Sequence, residues 1–219
     1  GKFYKSREPL TNSIFSSGSV VNLALAGPLQ AHFDLAFAGL PDGIFPPVRE
    51  KPYFDAVLMM PDLALPISLR VRGNSSLQEC PFSKLKFKVS KEYRTGTPFA
   101  DAREVKIGTH CAEGGRGVIG RLRDQTAAYR EVLAYEILRL MDFVGPRVRR
   151  AHIDYQDTTP QTNSSTAVGW QLTRDAFLVE DIEVVAGRLG ARVLADPELA
   201  VLDARAFDPQ LVTDLRLFN

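Results

Sequence analysis

Apolar and polar residues alternate in several short stretches of the chain, which predicts β-strands. The alternation is cleanest in residues 67–72 and 84–89, where lysine or arginine stands at many of the polar positions. A period of two places apolar side chains on one face of a strand and polar side chains on the other. We therefore predict an antiparallel sheet with one apolar and one basic face. Further strands are predicted at residues 20–25, 54–60, 104–109, 148–155, 167–172 and 176–179.

Residues 124–141 carry the strongest helical pattern, with apolar residues at spacings of three and four and Gly145-Pro146 just beyond. Shorter helices are predicted at 182–189 and at 208–219, where Asp208 is a good N-cap and is followed by proline. Residues 29–37 fit either a helix or a strand. The predicted fold is α+β, an antiparallel sheet packed on one long helix, with further short helices at the C-terminal end.

The predicted organisation is an arm followed by one domain. Residues 1–18 are polar with few periodic apolar positions, so we expect an extended arm laid over a neighbour or partner. Residues 19–219 are enough for a single domain with a substantial core. Proline-rich residues 39–52 and glycine-rich residues 113–120 are predicted to be loops.

The amino-acid composition argues against several classes of function. The chain has 219 residues, 45% of them hydrophobic and 24% charged, with a formal net charge of +1. This balance argues against a dedicated nucleic-acid binder, which usually carries a basic excess. No apolar run reaches the ~18 residues expected of a transmembrane helix. The two cysteines form no CxxC pair and the three histidines are far apart, so no metal site is predicted.

The two cysteines bear on location. If the strand containing Lys86 pairs antiparallel with the strand containing Ile107, so that these residues lie near each other within two residues of register, Cys80 falls close to Cys111 and a disulfide becomes feasible. A disulfide would indicate an oxidising, extracytoplasmic compartment, whereas two free thiols would favour the cytoplasm. The first residue is glycine rather than methionine, which is compatible with a removed leader.

Four segments together resemble a known family. They are RGNSS at residues 72–76, PFSKLKFKV at 81–89, YREVLAYEILRLMDFVGPRVR at 129–149 and FLVED at 177–181. In order and spacing they are similar to the CotH (spore-coat protein H) kinase-like family over roughly half of the chain. The resemblance implies a divergent protein-kinase fold, here its N-terminal lobe, with ATP and Mg²⁺ as cofactors. It implies transfer of the ATP γ-phosphate to a hydroxyl group, which depends on positioning and charge neutralisation.

The resemblance also implies which residues bind the phosphates. They belong to the turn that begins at Arg72. Gly73 would let the backbone approach the phosphates closely, and Asn74 and Ser75 would donate hydrogen bonds.

A lysine and a glutamate complete the implied site. One lysine of the basic strand, Lys84, Lys86 or Lys88, would neutralise phosphate, and we choose Lys86 because it is central. Glu131 would hold that lysine in an ion pair, and the backbone around Val179 and Glu180 would contact adenine. The alternative for the strand lysines is a solvated face. For the basic group around Arg147 the alternatives are an anion or partner site and a solvated strand end.

Two functions remain open. The chain ends at TDLRLFN, inside a predicted helix and before the catalytic acid and metal-binding residues of the resembled family would occur. The first function is a kinase-like, ATP-dependent enzyme whose catalytic part lies elsewhere, so that these 219 residues alone transfer no phosphate. The second is a non-catalytic accessory subunit that binds another protein or a larger assembly.

Overall fold

The computed structural model describes residues 13–38, 51–73, 82–109, 127–160, 169–191 and 193. These residues form seven strands and four helices. In chain order they are β1 (Val21–Gly27), α1 (Leu29–Phe37), β2 (Phe54–Met60), β3 (Leu63–Val71), β4 (Leu85–Lys88), α2 (Lys91–Arg94), β5 (Glu104–Thr109), α3 (Ala127–Leu140), β6 (Val148–Asp157), β7 (Gln171–Glu180) and α4 (Ile182–Arg188).

The seven strands form a closed barrel in the order β1-β2-β3-β4-β5-β7-β6. Every neighbouring pair is antiparallel except β1 and β6, which pair in parallel over seven residues and close the sheet. The predicted α+β architecture, an antiparallel sheet packed on one long helix as in a kinase N-terminal lobe, is therefore wrong. Closure pairs strands that would otherwise be open edges, which removes unpaired backbone groups at both ends of the sheet.

The core lies inside the barrel. Alternate residues of the strands point inward and are buried, and the largest include Tyr155 and Phe87. Helix α1 covers one end of the barrel, where Phe33 packs edge-on against Phe82 at 5.3 Å between ring centroids. At the other end Phe99, which follows α2, packs edge-on against Phe87 at 5.7 Å. Burial of such apolar surface is the main stabilising term in a fold of this kind.

Helix α3 lies on the outside of the barrel and has its own small apolar contact. Ala128 and Val132 pack against Phe177 and other residues of β6 and β7. Gly108 on β5 makes this contact possible, because a Cβ atom there would overlap the ring of Phe177. With 14 residues, α3 is the longest described helix, and no helix in the described part of the chain is long and apolar enough to cross a membrane.

Most strand positions agree with the prediction, but lengths and register differ. The ambiguous residues 29–37 are helical, β3 begins earlier at Leu63, and the two strands predicted within 167–179 form one ten-residue strand, β7. Strands β4 and β5 pair antiparallel as expected, with Leu85 rather than Lys86 opposite Ile107.

Several predictions concern residues outside the described ranges. These include Cys80, Cys111, the first twelve residues of the arm and the helix expected at 208–219. The disulfide, and the extracytoplasmic location that depends on it, stay predictions. The described end of the arm packs on the barrel, where Ile14 is fully buried and its N–H donates to the Pro98 carbonyl at 2.6 Å.

Candidate functional site

A small cavity lies on the outer surface of the barrel, between its strands and α3. Its volume is about 250 Å³. We call it the Arg72 cavity, and its lining comes from six separate parts of the chain: Arg72, Lys84, Lys106, Glu131, Tyr135, Pro146, Val179, Glu180 and Ile182. The strands place charged residues here because positions that alternate with the buried core residues point outward. Glu131 and Tyr135 are one helical turn apart and therefore share a side of α3.

Four of the eight sequence-predicted site residues line this cavity. They are Arg72, Glu131, Val179 and Glu180. Gly73 follows Arg72 with a φ of 87°, a left-handed conformation that glycine adopts without strain. Asn74 and Ser75, the predicted hydrogen-bond donors, lie outside the described residues.

Lys86 lies in an ion cluster beside the cavity. Its ammonium group is 2.7 Å from Oε2 of Glu104 and 3.3 Å from Oδ2 of Asp181. Lys106, directly opposite Lys86 on β5, also lies 3.3 Å from Oδ2 of Asp181. The predicted ion pair of Glu131 with Lys86, or with a lysine two residues away, is not formed. Lys86 and Lys88 pair with other carboxylates, and Lys84 lines the same cavity as Glu131 without an ion pair to it. Lys86 is nearly buried, which for a lysine requires such pairing.

The two carboxylates of this ion cluster, Glu104 and Asp181, have lowered pKa values. Burial alone would raise the pKa of Glu104, but its hydrogen bond to Lys86 and the nearby lysine charges lower it from the usual 4.5. Burial likewise opposes ionisation of Asp181, yet the Glu183 N–H and the charges of Lys106 and Lys86 lower its pKa from 3.8. Both groups are therefore negatively charged at neutral pH and hold the lysines in fixed positions.

Arg72 is the most unusual cation of the cavity. Its side chain donates to two backbone carbonyls, Leu85 O at 3.2 Å and Ile107 O at 3.1 Å. Burial lowers its pKa, while the charge of Glu131 acts in the opposite direction. Within the described residues, neither Arg72 nor Lys84 has a carboxylate oxygen within 4.0 Å. Their positive charge is available to a ligand.

Glu180 lines the cavity but its carboxylate is fully engaged. Its side chain has no exposed surface, and its two oxygens lie 2.8 Å from Nη2 of Arg147 and 3.0 Å from Nη2 of Arg188. Arg147 also contacts Asp101 at 2.7 Å. We call these four residues the Glu180 cluster, and it ties the ends of β6 and β7 to α4.

The backbone predicted to contact adenine is also engaged. Val179 lies opposite Lys106 of β5 on one side and opposite Val148 of β6 on the other. The Glu180 N–H donates to the Arg147 carbonyl at 2.9 Å. The backbone of Val179 and Glu180 is therefore engaged in strand pairing with β5 and β6.

Sequence reasoning missed Lys106, Glu104 and Asp181. A signal was present, because Glu104 and Lys106 are two residues apart on a predicted strand and must share its outward face. Asp181 lies two residues beyond the last predicted strand, 176–179. In the part of the chain that the structure describes, no group of three or more His, Cys, Asp or Glu side chains is placed to hold a metal ion.

Neither the known protein-family models nor the curated proteins contain a match to this chain.

Proposed function

We propose that the chain binds the phosphate groups of a nucleotide in the Arg72 cavity. One observation carries the proposal. Arg72, Glu131 and Val179 are far apart in the sequence, yet all three line one small cavity. These residues were selected through the family resemblance, which also implies ATP with Mg²⁺ as the ligand. The fold is a closed barrel rather than the predicted sheet packed on one helix, but these three residues still lie around one cavity.

The charge of the cavity favours an anion. Lys106 is paired with Asp181, and Glu180 is paired with two arginines. The lining groups outside these ion pairs are the cations Arg72 and Lys84 and the carboxylate of Glu131. A guanidinium group stays protonated in proteins, so Arg72 remains a cation despite its burial. Hydrogen bonds from such cations to phosphate are among the stronger ones.

The size of the cavity indicates which part of a nucleotide it holds. Pockets that enclose a whole drug-sized ligand measure roughly 300–1,000 Å³. At about 250 Å³ the Arg72 cavity is smaller, so it accommodates phosphate groups while the ribose and base extend beyond it. Transfer of phosphate in the resembled family uses a catalytic acid and metal ligands that follow the FLVED segment. We therefore assign nucleotide binding, rather than transfer, to the described residues.

Calorimetric titration of the purified chain with ATP, with and without Mg²⁺, tests the proposal. We expect Lys84→Ala to raise the Kd for ATP at least about tenfold, because a charge-assisted hydrogen bond contributes about 1.5–3 kcal/mol. Lys91→Ala on the exposed helix α2 is the matched control and leaves the Kd unchanged. Adenosine, which lacks phosphate, should not compete. Equal effects of the two substitutions, or no binding at millimolar ATP, would refute the assignment.

A second candidate function is non-catalytic binding of another protein in a larger assembly. The observation in its favour is a set of exposed apolar residues on α3, among them Leu133 and Leu140. Such surfaces often mark protein contacts.

A further inference from the structure

One carboxylate in the lining of the Arg72 cavity has no cation in contact with it. Among the described residues, no lysine, arginine or histidine nitrogen lies within 4.0 Å of the Glu131 carboxylate. The other carboxylate of the lining, Glu180, is instead paired with two arginines. Like charges repel, so the unpaired carboxylate opposes the binding of a fully ionised anion in this cavity. Glu131 therefore constrains which anions the cavity accepts.

The nearest cation is held in place and does not turn to neutralise Glu131. Arg72 donates from Nε to the Leu85 carbonyl at 3.2 Å and from Nη2 to the Ile107 carbonyl at 3.1 Å. Turning the guanidinium group toward Glu131 would break both hydrogen bonds. The charge of Glu131 still reaches it, because burial lowers the pKa of Arg72 and Glu131 is the first of the neighbouring charges that raise it. The two groups therefore face one cavity without touching, which leaves room for a ligand between them.

The unpaired charges of the cavity match an anion with a single negative charge. Arg72 and Lys84 supply two positive charges and Glu131 supplies one negative charge, which leaves a net charge of +1. The other charged residues of the lining are committed to ion pairs. Tyr135, one helical turn after Glu131, stays neutral because burial and the charge of Glu131 raise the pKa of its hydroxyl group. A fitting ligand is singly charged and carries a hydrogen-bond donor for Glu131.

A phosphate group at the end of a chain meets both requirements. Its second pKa is about 6, so near neutral pH part of the population is singly charged and carries an O–H group. That O–H group can donate to Glu131 while the other oxygens accept from Arg72 and Lys84, and charge-assisted hydrogen bonds of this type are among the stronger ones. Sulfate and the internal phosphates of a nucleotide carry no proton near neutral pH. They offer Glu131 only a negatively charged oxygen.

We propose that Glu131 selects a protonated terminal phosphate for the Arg72 cavity and discriminates against sulfate and internal phosphates. The inference rests on the proposed nucleotide binding and adds to it, because it names the phosphate group that enters the cavity. A site with a fixed acceptor disfavours ligands that lack the matching donor, because the acceptor is then left without a partner. Glu131 is exposed, so water screens its charge and the discrimination is smaller than in a buried site.

NMR titration of the isotope-labelled full chain near neutral pH tests the selection, with a chelator present so that no divalent cation neutralises Glu131. The probes are inorganic phosphate, which keeps a proton, sulfate, and dimethyl phosphate, which is singly charged but has no O–H group and represents an internal phosphate. In the unchanged chain, the Kd values for sulfate and dimethyl phosphate should be at least ~5-fold higher than the Kd for phosphate. In Glu131→Gln, which keeps the shape of the side chain and adds a donor, phosphate should lose this advantage. The amides of Gly73 and Tyr135 report on binding.

Glu136→Gln is the matched control for Glu131→Gln. Glu136 is on the same helix, but it pairs with Arg139 at 2.9 Å and does not line the Arg72 cavity, so the three Kd values should not change. Unchanged amide resonances of β6 show that each variant is folded. Equal Kd values for phosphate and sulfate in the unchanged chain, or a preference that survives Glu131→Gln, would overturn the selection and leave nucleotide binding in place. If neither phosphate nor ATP binds, the nucleotide proposal fails and the selection fails with it.

Discussion

The side chain of Glu180 has no exposed surface, and replacing it with glutamine tests how the barrel is held to α4. In the unchanged protein its two carboxylate oxygens accept from the Arg147 side chain, the Arg147 backbone N–H and Arg188. Glutamine keeps one oxygen but replaces the other with an NH₂ group that faces a guanidinium donor. The substitution removes the negative charge and leaves two arginines facing a neutral group.

The size of the effect follows from burial. Removing one partner of a buried ion pair costs about 3–5 kcal/mol, because the remaining charge is left without compensation. Arg147 keeps its contact with Asp101, and Arg188 is partly exposed, so we expect the lower end, about 3 kcal/mol. Urea unfolding followed by circular dichroism, with linear extrapolation, measures the difference in free energy of unfolding between Glu180→Gln and the unchanged chain.

Glu183→Gln is the matched control for this measurement. Glu183 also pairs with an arginine, Arg103 at 3.1 Å, but both side chains are more than half exposed. Exposed ion pairs contribute about 0.2–1 kcal/mol, so the control should change stability little. A loss below about 1 kcal/mol for Glu180→Gln, or equal losses for both variants, would show that the Glu180 cluster does not stabilise the fold as its geometry indicates.

Two further predictions concern the outer surface of the barrel. Gly108→Ala should lower the free energy of unfolding by about 1–3 kcal/mol, because the new methyl group displaces the ring of Phe177, whereas Gly187→Ala, with open space around it, should not destabilise. Thermal unfolding of both variants measures this, and equal stabilities would contradict the close approach. The lowered pKa values of Glu104 and Asp181 mean that the folded state binds their protons more weakly than the unfolded state. Their contribution to stability is complete above about pH 4.5 and is lost as the pH falls through the lowered folded values. Glu104→Gln should therefore flatten the acid side of the stability profile, and an unchanged slope would exclude this carboxylate as its source.

The sequence predicted the strands better than their assembly. Period-two alternation identifies where strands occur, because each strand must bury one face. It carries no information about which strands become neighbours. The parallel pairing of Val21–Gly27 with β6 joins residues about 130 positions apart, and no local pattern marks it. The predicted antiparallel sheet therefore did not include this parallel pair, which closes the barrel.

The candidate site shows the same limit at the level of single residues. Outward-facing charges at Lys84, Lys86 and Glu104 follow from alternation, but the partner of each charge depends on register. A shift of one position, from Lys86 to Leu85 opposite Ile107, puts Lys86 opposite Lys106. Two lysines that face each other need a shared carboxylate, and Asp181 provides it. The predicted ion pair with Glu131 was wrong for this reason.

Closure of the barrel also explains why the candidate site is on the outside. A closed sheet has one inner and one outer face, and here the inward positions hold large apolar side chains such as Tyr155 and Phe87. Charged residues at the alternating positions must then project outward. Where α3 approaches strands β5 and β7, these charges are partly covered, and Arg72 becomes buried enough for desolvation to lower its pKa. A cation that is partly desolvated and lacks a carboxylate partner interacts more strongly with an anion than a solvated one does, because the local dielectric constant is lower. The position of α3 beside the barrel therefore creates the partly desolvated cation on which the proposed phosphate site depends.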